Sequence, residues 1–296
     1  MAGVSGIVPA IVTPFKEDET IDHDSLRRIV ADQRAAGADG LLTLGLAGEG
    51  IYLDLEERAA VLDTVLAEAD GLPVLAGCTA DTTEEACRLV AMAVAAGAAE
   101  VMVAPPRRPD WTAEEFRDHF QQIAAVSAAD VMIQDAPFAT GVELGVEFVL
   151  DLAASYANVR SYKVEALPYW TNAIRARSVA GDKLRVLGGH AGLYMLDVLD
   201  SGADGLIPGC DVTRPLVSIW AAYKAGDRER ALREHLRMLP YLVYQAQSLG
   251  VIVGGAKAVL HTRGVIASST ARLPAARLDG ATRERQLAIA RECGLL

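Results

Sequence analysis

Lysine is scarce in this chain: Lys16, Lys163, Lys183, Lys224 and Lys257 are all there are. Basic runs are absent beyond the pairs Arg27-Arg28 and Arg107-Arg108, and the net charge is −11. A nucleic-acid binder would present a basic face, so that class of partner is excluded. No apolar run reaches the ~18 residues that a membrane helix needs, so no membrane partner is expected. The four cysteines, Cys78, Cys87, Cys210 and Cys293, have no metal-ligand spacing and make no disulfide framework. Together with the lack of a signal peptide, they read as reduced thiols in small core positions of a cytoplasmic protein. What the chain does have is apolar content. Its 296 residues are 51% hydrophobic, enough for a large core, and α/β barrels of this length are often one domain.

Short β-branched runs alternate with amphipathic ones along the sequence. Strands are expected over 6–14, 40–45, 73–77, 100–104, 131–135, 159–165, 184–187 and 205–208. Helices are expected over 22–36, 54–68, 82–96, 112–125, 146–157, 169–179, 193–201 and 214–224, then over 228–248, 256–262 and 282–292. The phrases Gly37-Ala38-Asp39-Gly40, Gly97-Ala98-Ala99-Glu100 and Gly202-Ala203-Asp204-Gly205 recur at helix-to-strand junctions, where the first glycine suits a left-handed cap. Strict alternation implies a parallel sheet with helical crossovers. Eight units favour a closed (β/α)8 TIM barrel, an α/β fold, with a C-terminal helical extension. The expected division is a barrel over 1–225 and an extension over 226–296. The first strand ends Thr13-Pro14-Phe15, with no glycine-rich dinucleotide loop, which argues against an open doubly wound sheet.

Lys163 is the only lysine in the middle of a strand-like run, Val159-Arg160-Ser161-Tyr162-Lys163-Val164-Glu165. Side chains alternate along a strand, so Ser161, Lys163 and Glu165 share one face and Arg160, Tyr162 and Val164 the other. Burying an ammonium is costly. A buried lysine sheds its proton readily, and a neutral amine attacks carbonyls. The bland alternative is an edge-strand lysine pointing at water. Near the carboxyl end of a barrel strand, where active residues sit, the nucleophile reading gains. A second feature follows the second strand: Gly45-Leu46-Ala47-Gly48-Glu49-Gly50. Successive N–H groups in such a turn form an anion nest suited to a small carboxylate, though ordinary βα turns share the composition.

These features, in order and spacing, resemble a known family. Thr13-Pro14-Phe15, Gly45-x-x-Gly48-Glu49, Pro137 after the fifth strand, Lys163 on the sixth and Gly188-Gly189 after the seventh are similar to the dihydrodipicolinate synthase/N-acetylneuraminate lyase family of class I Schiff-base enzymes. The resemblance runs from about Gly6 to the end. It implies a lysine imine with a 2-keto acid, no other cofactor, the substrate carboxylate on the turn at Ala47 and Gly48 beside Leu46, and a homo-oligomer, dimer or tetramer.

The departures from the family pattern matter as much. Typical members have two threonines where Leu46 and Ala47 stand, and a proton-relaying tyrosine where Gln134 stands. They often have a tyrosine after the fourth strand, here Pro105-Pro106-Arg107-Arg108, and the synthase's carboxylate-binding arginine is here Ala139. A glutamine does not shuttle protons at neutral pH. Glu165 becomes the acid–base candidate, about 7 Å along the strand from Lys163 on the same face, in surroundings expected to be apolar at Leu46, Ala47 and Ile133. Lys163-x-Glu165 with Gln134-Asp135-Ala136-Pro137 looks nearest to the branch that dehydrates 2-keto-3-deoxy sugar acids, notably L-2-keto-3-deoxyarabonate dehydratase. Alternatives are a pyruvate-dependent aldolase of the synthase or N-acetylneuraminate lyase type, and a barrel that binds a 2-keto acid without catalysis. Further candidates for holding substrate are Gly189, His190 and Tyr194 after the seventh strand and Arg107 at the mouth. Asp135 is expected to point away from the interior.

Overall fold

The computed structural model describes residues 3–296. Eight short parallel strands form one sheet: β1 (Gly6–Ile7), β2 (Leu41–Thr43), β3 (Val74–Gly77), β4 (Glu100–Val103), β5 (Asp130–Asp135), β6 (Val159–Val164), β7 (Arg185–Gly188) and β8 (Gly205–Leu206). Their order is β1-β8-β7-β6-β5-β4-β3-β2. Ala10 bridges Leu42 on one side and Gly209 on the other, both in parallel, which closes the barrel. The expected first strand is cut short at Ile7, since Pro9 has no N–H for a ladder.

The crossovers are α1 (His23–Ala36), α2 (Leu55–Glu68), α3 (Thr83–Ala96), α4 (Ala113–Val126), a short α5 (Pro137–Thr140) that sequence periodicity does not show, α6 (Val146–Ser155), α7 (Tyr169–Ala180), α8 (Met195–Asp200) and α9 (Thr213–Lys224). Asp22, Asp54, Thr82 and Thr112 cap α1 to α4 through their side chains, and those at Asp54 and Thr112 form reciprocal boxes with Glu57 and Glu115. Gly37, Gly97 and Gly202 all take positive φ at the repeated junctions, as the recurring phrase requires.

Alternation sorts the strand residues into two cores. Val101, Val103, Val131, Ile133, Tyr162, Val164 and Val186 pack outward against the helices. Leu42, Leu75, Met102, Met132 and Leu187 fill the barrel. Ile133 therefore faces the helices, not Glu165: the alternation that turns Gln134 inward turns its neighbour out. The barrel floor, at the amino ends of the strands, is ionic. Arg185 reaches Ser161 Oγ (3.0 Å), Glu100 (3.2 Å) and Asp130 (2.9 Å). Burial pushes the Glu100 carboxyl above its ordinary range, and Arg185 opposes that shift.

Three helices follow the barrel: α10 (Arg228–Gln245), α11 (Leu249–Thr262) and α12 (Gly280–Glu292). The sequence reading starts α11 seven residues late. Gly250, Gly254 and Gly255 argue against a helix locally, yet a Cβ at Gly254 would collide with the Ala276 carbonyl and one at Gly255 with the Gln286 amide. Close packing, not propensity, decides that segment. Ala256 and Leu260 of α11 belong to the same hydrophobic cluster as the barrel's outer core. Among the cysteines, Cys78, Cys210 and Cys293 are buried, but Cys87 is only half-buried on α3. Among the described residues no helix is long and apolar enough to cross a membrane.

One buried histidine makes stability depend on pH. His119 on α4 contacts Thr83 Oγ1 (2.9 Å) and packs edge-on to Phe120, with Nε2 buried and without a partner. Burial lowers its pKa from 6.5 to about 4. Between those values the unfolded chain binds a proton there and the folded chain does not, so stability falls as pH drops through that window. His119→Phe is expected to flatten this dependence, read as thermal midpoints stepped from pH 7 to 4. An unchanged slope would assign the effect elsewhere.

Candidate active site

Lys163 and Glu165 both point into the mouth of the barrel, as the period of two requires, and are only 6% and 5% exposed. Lys163 Nζ lies 3.3 Å from Glu165 Oε2. Gln134 is the register partner of Lys163 across the β5–β6 ladder, and its Nε2 donates to the same Glu165 oxygen at 2.6 Å. The other Glu165 oxygen accepts the His190 backbone N–H at 2.8 Å. Three donor groups thus converge on one carboxylate and fix its orientation beside Lys163. Gln134 Oε1 is buried without a partner and remains as an acceptor.

The loop after β7 builds one wall. His190 and Ala191 adopt left-handed φ values of 52° and 57°, which turn the His190 N–H toward Glu165. Gly189 leaves room: a Cβ there would collide with the Glu165 carboxyl. Gly189 itself does not line the pocket. The His190 ring lines the pocket, accepts or donates at Nδ1 to the Tyr169 hydroxyl (2.7 Å), and meets Phe138 edge-on. Burial lowers the His190 pKa, with Glu165 opposing, and raises that of Tyr169 well above the tyrosine range. Tyr194 does not line the pocket. It stacks on Tyr169 at 4.5 Å, behind His190.

The opposite wall comes from the turn after β2. Leu46 and Ala47 line the pocket. Gly48 does not: its N–H donates to Gly45 O (3.0 Å) and its carbonyl accepts from Thr13 (2.7 Å). Among the described residues neither the Leu46 nor the Ala47 N–H has a hydrogen-bond acceptor. The amides left without acceptors in this turn are therefore those of Leu46 and Ala47, one residue earlier than the pair Ala47 and Gly48 expected from sequence. Arg107 is also displaced from its expected place. It pairs with Asp81 (2.7 Å) on the surface, outside the pocket lining, and that contact raises its pKa. Asp135 points away from the interior and accepts from Leu144 and Gly145 N–H (3.1 Å each).

Phe138, Ile207, Pro208, Leu249 and Ile252 complete the lining of a cavity of about 40 Å³. None was singled out from sequence. Phe138 sits on a helix too short for periodicity, and Leu249 and Ile252 lie on the glycine-masked start of α11.

Fold and site together define a (β/α)8 barrel with an amine, a carboxylate and an amide at its carboxyl mouth. The model of the Dihydrodipicolinate synthetase family matches residues 3–292, and the chain belongs to that family. The 4-hydroxy-tetrahydrodipicolinate synthase of Chlorobaculum parvum is 33% identical over 231 residues, 77% of each chain. Dihydrodipicolinate synthase from Rhodopseudomonas palustris superposes with a TM-score of 0.91 at 29% identity, over 98% of this chain and 97% of that one. YagE, a prophage protein of E. coli K12 from the same family solved in complex with pyruvate, gives a TM-score of 0.90 at 26% identity over 100% of both chains. Membership places the chain among aldolase-type lyases.

Proposed function

We propose that Lys163 forms an imine with the C2 carbonyl of a short-chain 2-keto acid, and that the reaction is loss of water from a 2-keto-3-deoxy sugar acid. The observation that carries this reading is Glu165 facing inward beside Lys163, with Gln134 hydrogen-bonded to it where family members relay protons through a tyrosine. The Leu46 and Ala47 amides receive the substrate carboxylate. Glu165 takes a proton from the Lys163 ammonium, the amine adds to C2, and Glu165 returns that proton to the carbinolamine hydroxyl, which leaves as water and gives the iminium. The iminium acidifies C3. Glu165 removes the C3 proton to give an enamine, whose electrons form the C3–C4 double bond as the C4 oxygen leaves. That oxygen takes the proton back from Glu165 and departs as water. Hydrolysis of the unsaturated iminium returns the amine. No further cofactor takes part.

Pyruvate bound to the similar YagE supports the 2-keto acid class. A second reading, aldol chemistry on pyruvate, is favoured by the names of the relatives. It requires deprotonation of the C4 hydroxyl and cleavage of the C3–C4 bond. Incubation with 2-keto-3-deoxy pentonates separates the two. Loss of water with all carbons retained supports the dehydratase, release of pyruvate supports the aldolase, and no turnover with retained binding leaves a binding protein.

The reading extends to a cytoplasmic homo-oligomer, a dimer or tetramer. Leu167, Trp170 and Ile174 form an exposed apolar stripe at α7, and such patches mark association surfaces. Light scattering at micromolar concentration is expected to give a multiple of 31.3 kDa; the monomer mass would remove this part.

A further inference from the structure

A second buried lysine lies outside the chemistry. Lys257 on α11 and Glu49 at the end of the 45–50 turn pair with each other, 208 residues apart, and both side chains are 0% exposed. Lys257 Nζ also donates to Thr270 O (2.9 Å) and stands over the Phe15 ring at 4.4 Å. The other Glu49 oxygen accepts the Leu273 N–H at 2.6 Å. A wholly buried ion pair is a poor means of adding stability, because desolvation offsets most of the attraction. Its better-attested use is to specify one arrangement.

The arrangement specified here is the turn that offers the Leu46 and Ala47 amides. Glu49 takes a left-handed φ of 56°, unfavourable for a side chain of its kind, and its N–H closes the turn on Leu46 O at 3.2 Å. The other backbone bonds that close the turn are internal to it, from Gly48 and Gly50 N–H to Gly45 O at 3.0 and 3.4 Å, and Thr13 on the Gly48 carbonyl is its tie to the first strand's end. The ion pair ties it to α11, the helix whose Leu249 and Ile252 line the same cavity.

We infer that Glu49 and Lys257 are positioning residues that hold the Leu46 and Ala47 N–H groups in the geometry that receives a substrate carboxylate. The C-terminal helix thereby sets affinity for 2-keto acids without touching the reacting atoms. This rests on the imine reading of Lys163.

The test is borohydride trapping at Lys163, followed by peptide mapping, as a function of pyruvate and, separately, of acetaldehyde, which carries no carboxylate. In the Glu49→Gln, Lys257→Met double variant, which leaves no unpaired buried charge, half-saturating pyruvate is expected to rise roughly 10-fold or more. Its plateau and the acetaldehyde response stay within about 2-fold of the parent, as a purely positional role requires. Leu273→Pro removes the N–H to Glu49, at a φ of −61° that suits proline, and Leu273→Ala, which keeps that N–H, controls for the side chain that packs with Ala47 and Leu249. The proline variant is expected to shift the pyruvate curve the same way by a few-fold, and it carries the test if the double variant does not fold. The inference is overturned if the pyruvate curve of the folded variant matches the parent's, or if both carbonyls lose trapping together. Absence of any adduct in the parent would instead remove the imine reading itself.

Discussion

Reduction with borohydride in the presence of pyruvate is expected to fix a secondary amine on Lys163 and on no other lysine. Lys16, Lys183 and Lys224 are exposed, away from any carboxylate-receiving turn. Lys257 is wholly buried and paired with Glu49. Lys163 alone lines the cavity, with an acceptor for its proton 3.3 Å away and two unengaged amides across the mouth. Lys163→Ala is expected to abolish both adduct and turnover. Lys163→Arg should do the same, since a guanidinium does not give up its proton to become a nucleophile. Mass spectrometry of the reduced protein decides it. An unmodified Lys163 peptide at saturating pyruvate would end the lyase mechanism and favour a barrel that only binds its ligand.

Glu165→Gln is expected to keep the imine and lose turnover by ~10²–10⁴-fold, the usual contribution of a general acid–base group. Imine formation needs the amine of Lys163, which the variant retains. Removal of the C3 proton needs a base at the imine carbon's neighbour, and neither Gln134 nor the His190 N–H supplies one. The variant also replaces a carboxylate that accepts two hydrogen bonds and pairs with Lys163 by an amide that must donate, so its thermal midpoint should be measured alongside. Gln134→Ala removes one hydrogen bond to the carboxylate and should cost about 10-fold or less. Turnover by Glu165→Gln equal to the parent's would shift the acid–base role to His190, whose Nδ1 is engaged by Tyr169.

Much of this site was legible along the chain because strands impose a period of two. Once Lys163 was placed on a strand, Ser161 and Glu165 had to share its face, and they do. The same rule set Gln134 inward and Asp135 outward. It also contradicted the apolar surroundings expected from Ile133, one residue from Gln134, which faces the helices. Spacing was a poorer guide in loops. It suggested Gly48 as an anion donor, but a turn bond to Gly45 uses that N–H. It suggested Arg107 at the mouth, but Asp81 holds it on the surface.

The sequence by itself determined the alternation of strand and helix, the caps that start the helices, and which face of β6 carries the amine and the carboxylate. These follow from local preferences and from side-chain direction within a few residues. Only the tertiary structure decided the pairing of Glu49 with Lys257, the Arg185 cluster on the barrel floor, and the arrival of α11 over the cavity. Each joins residues tens to hundreds of positions apart. No periodicity could name Glu49 as the partner of Lys257. Glycines that weaken a helix in isolation became the contacts that let α11 pack, because close approach between backbones outweighs propensity once a partner is in place.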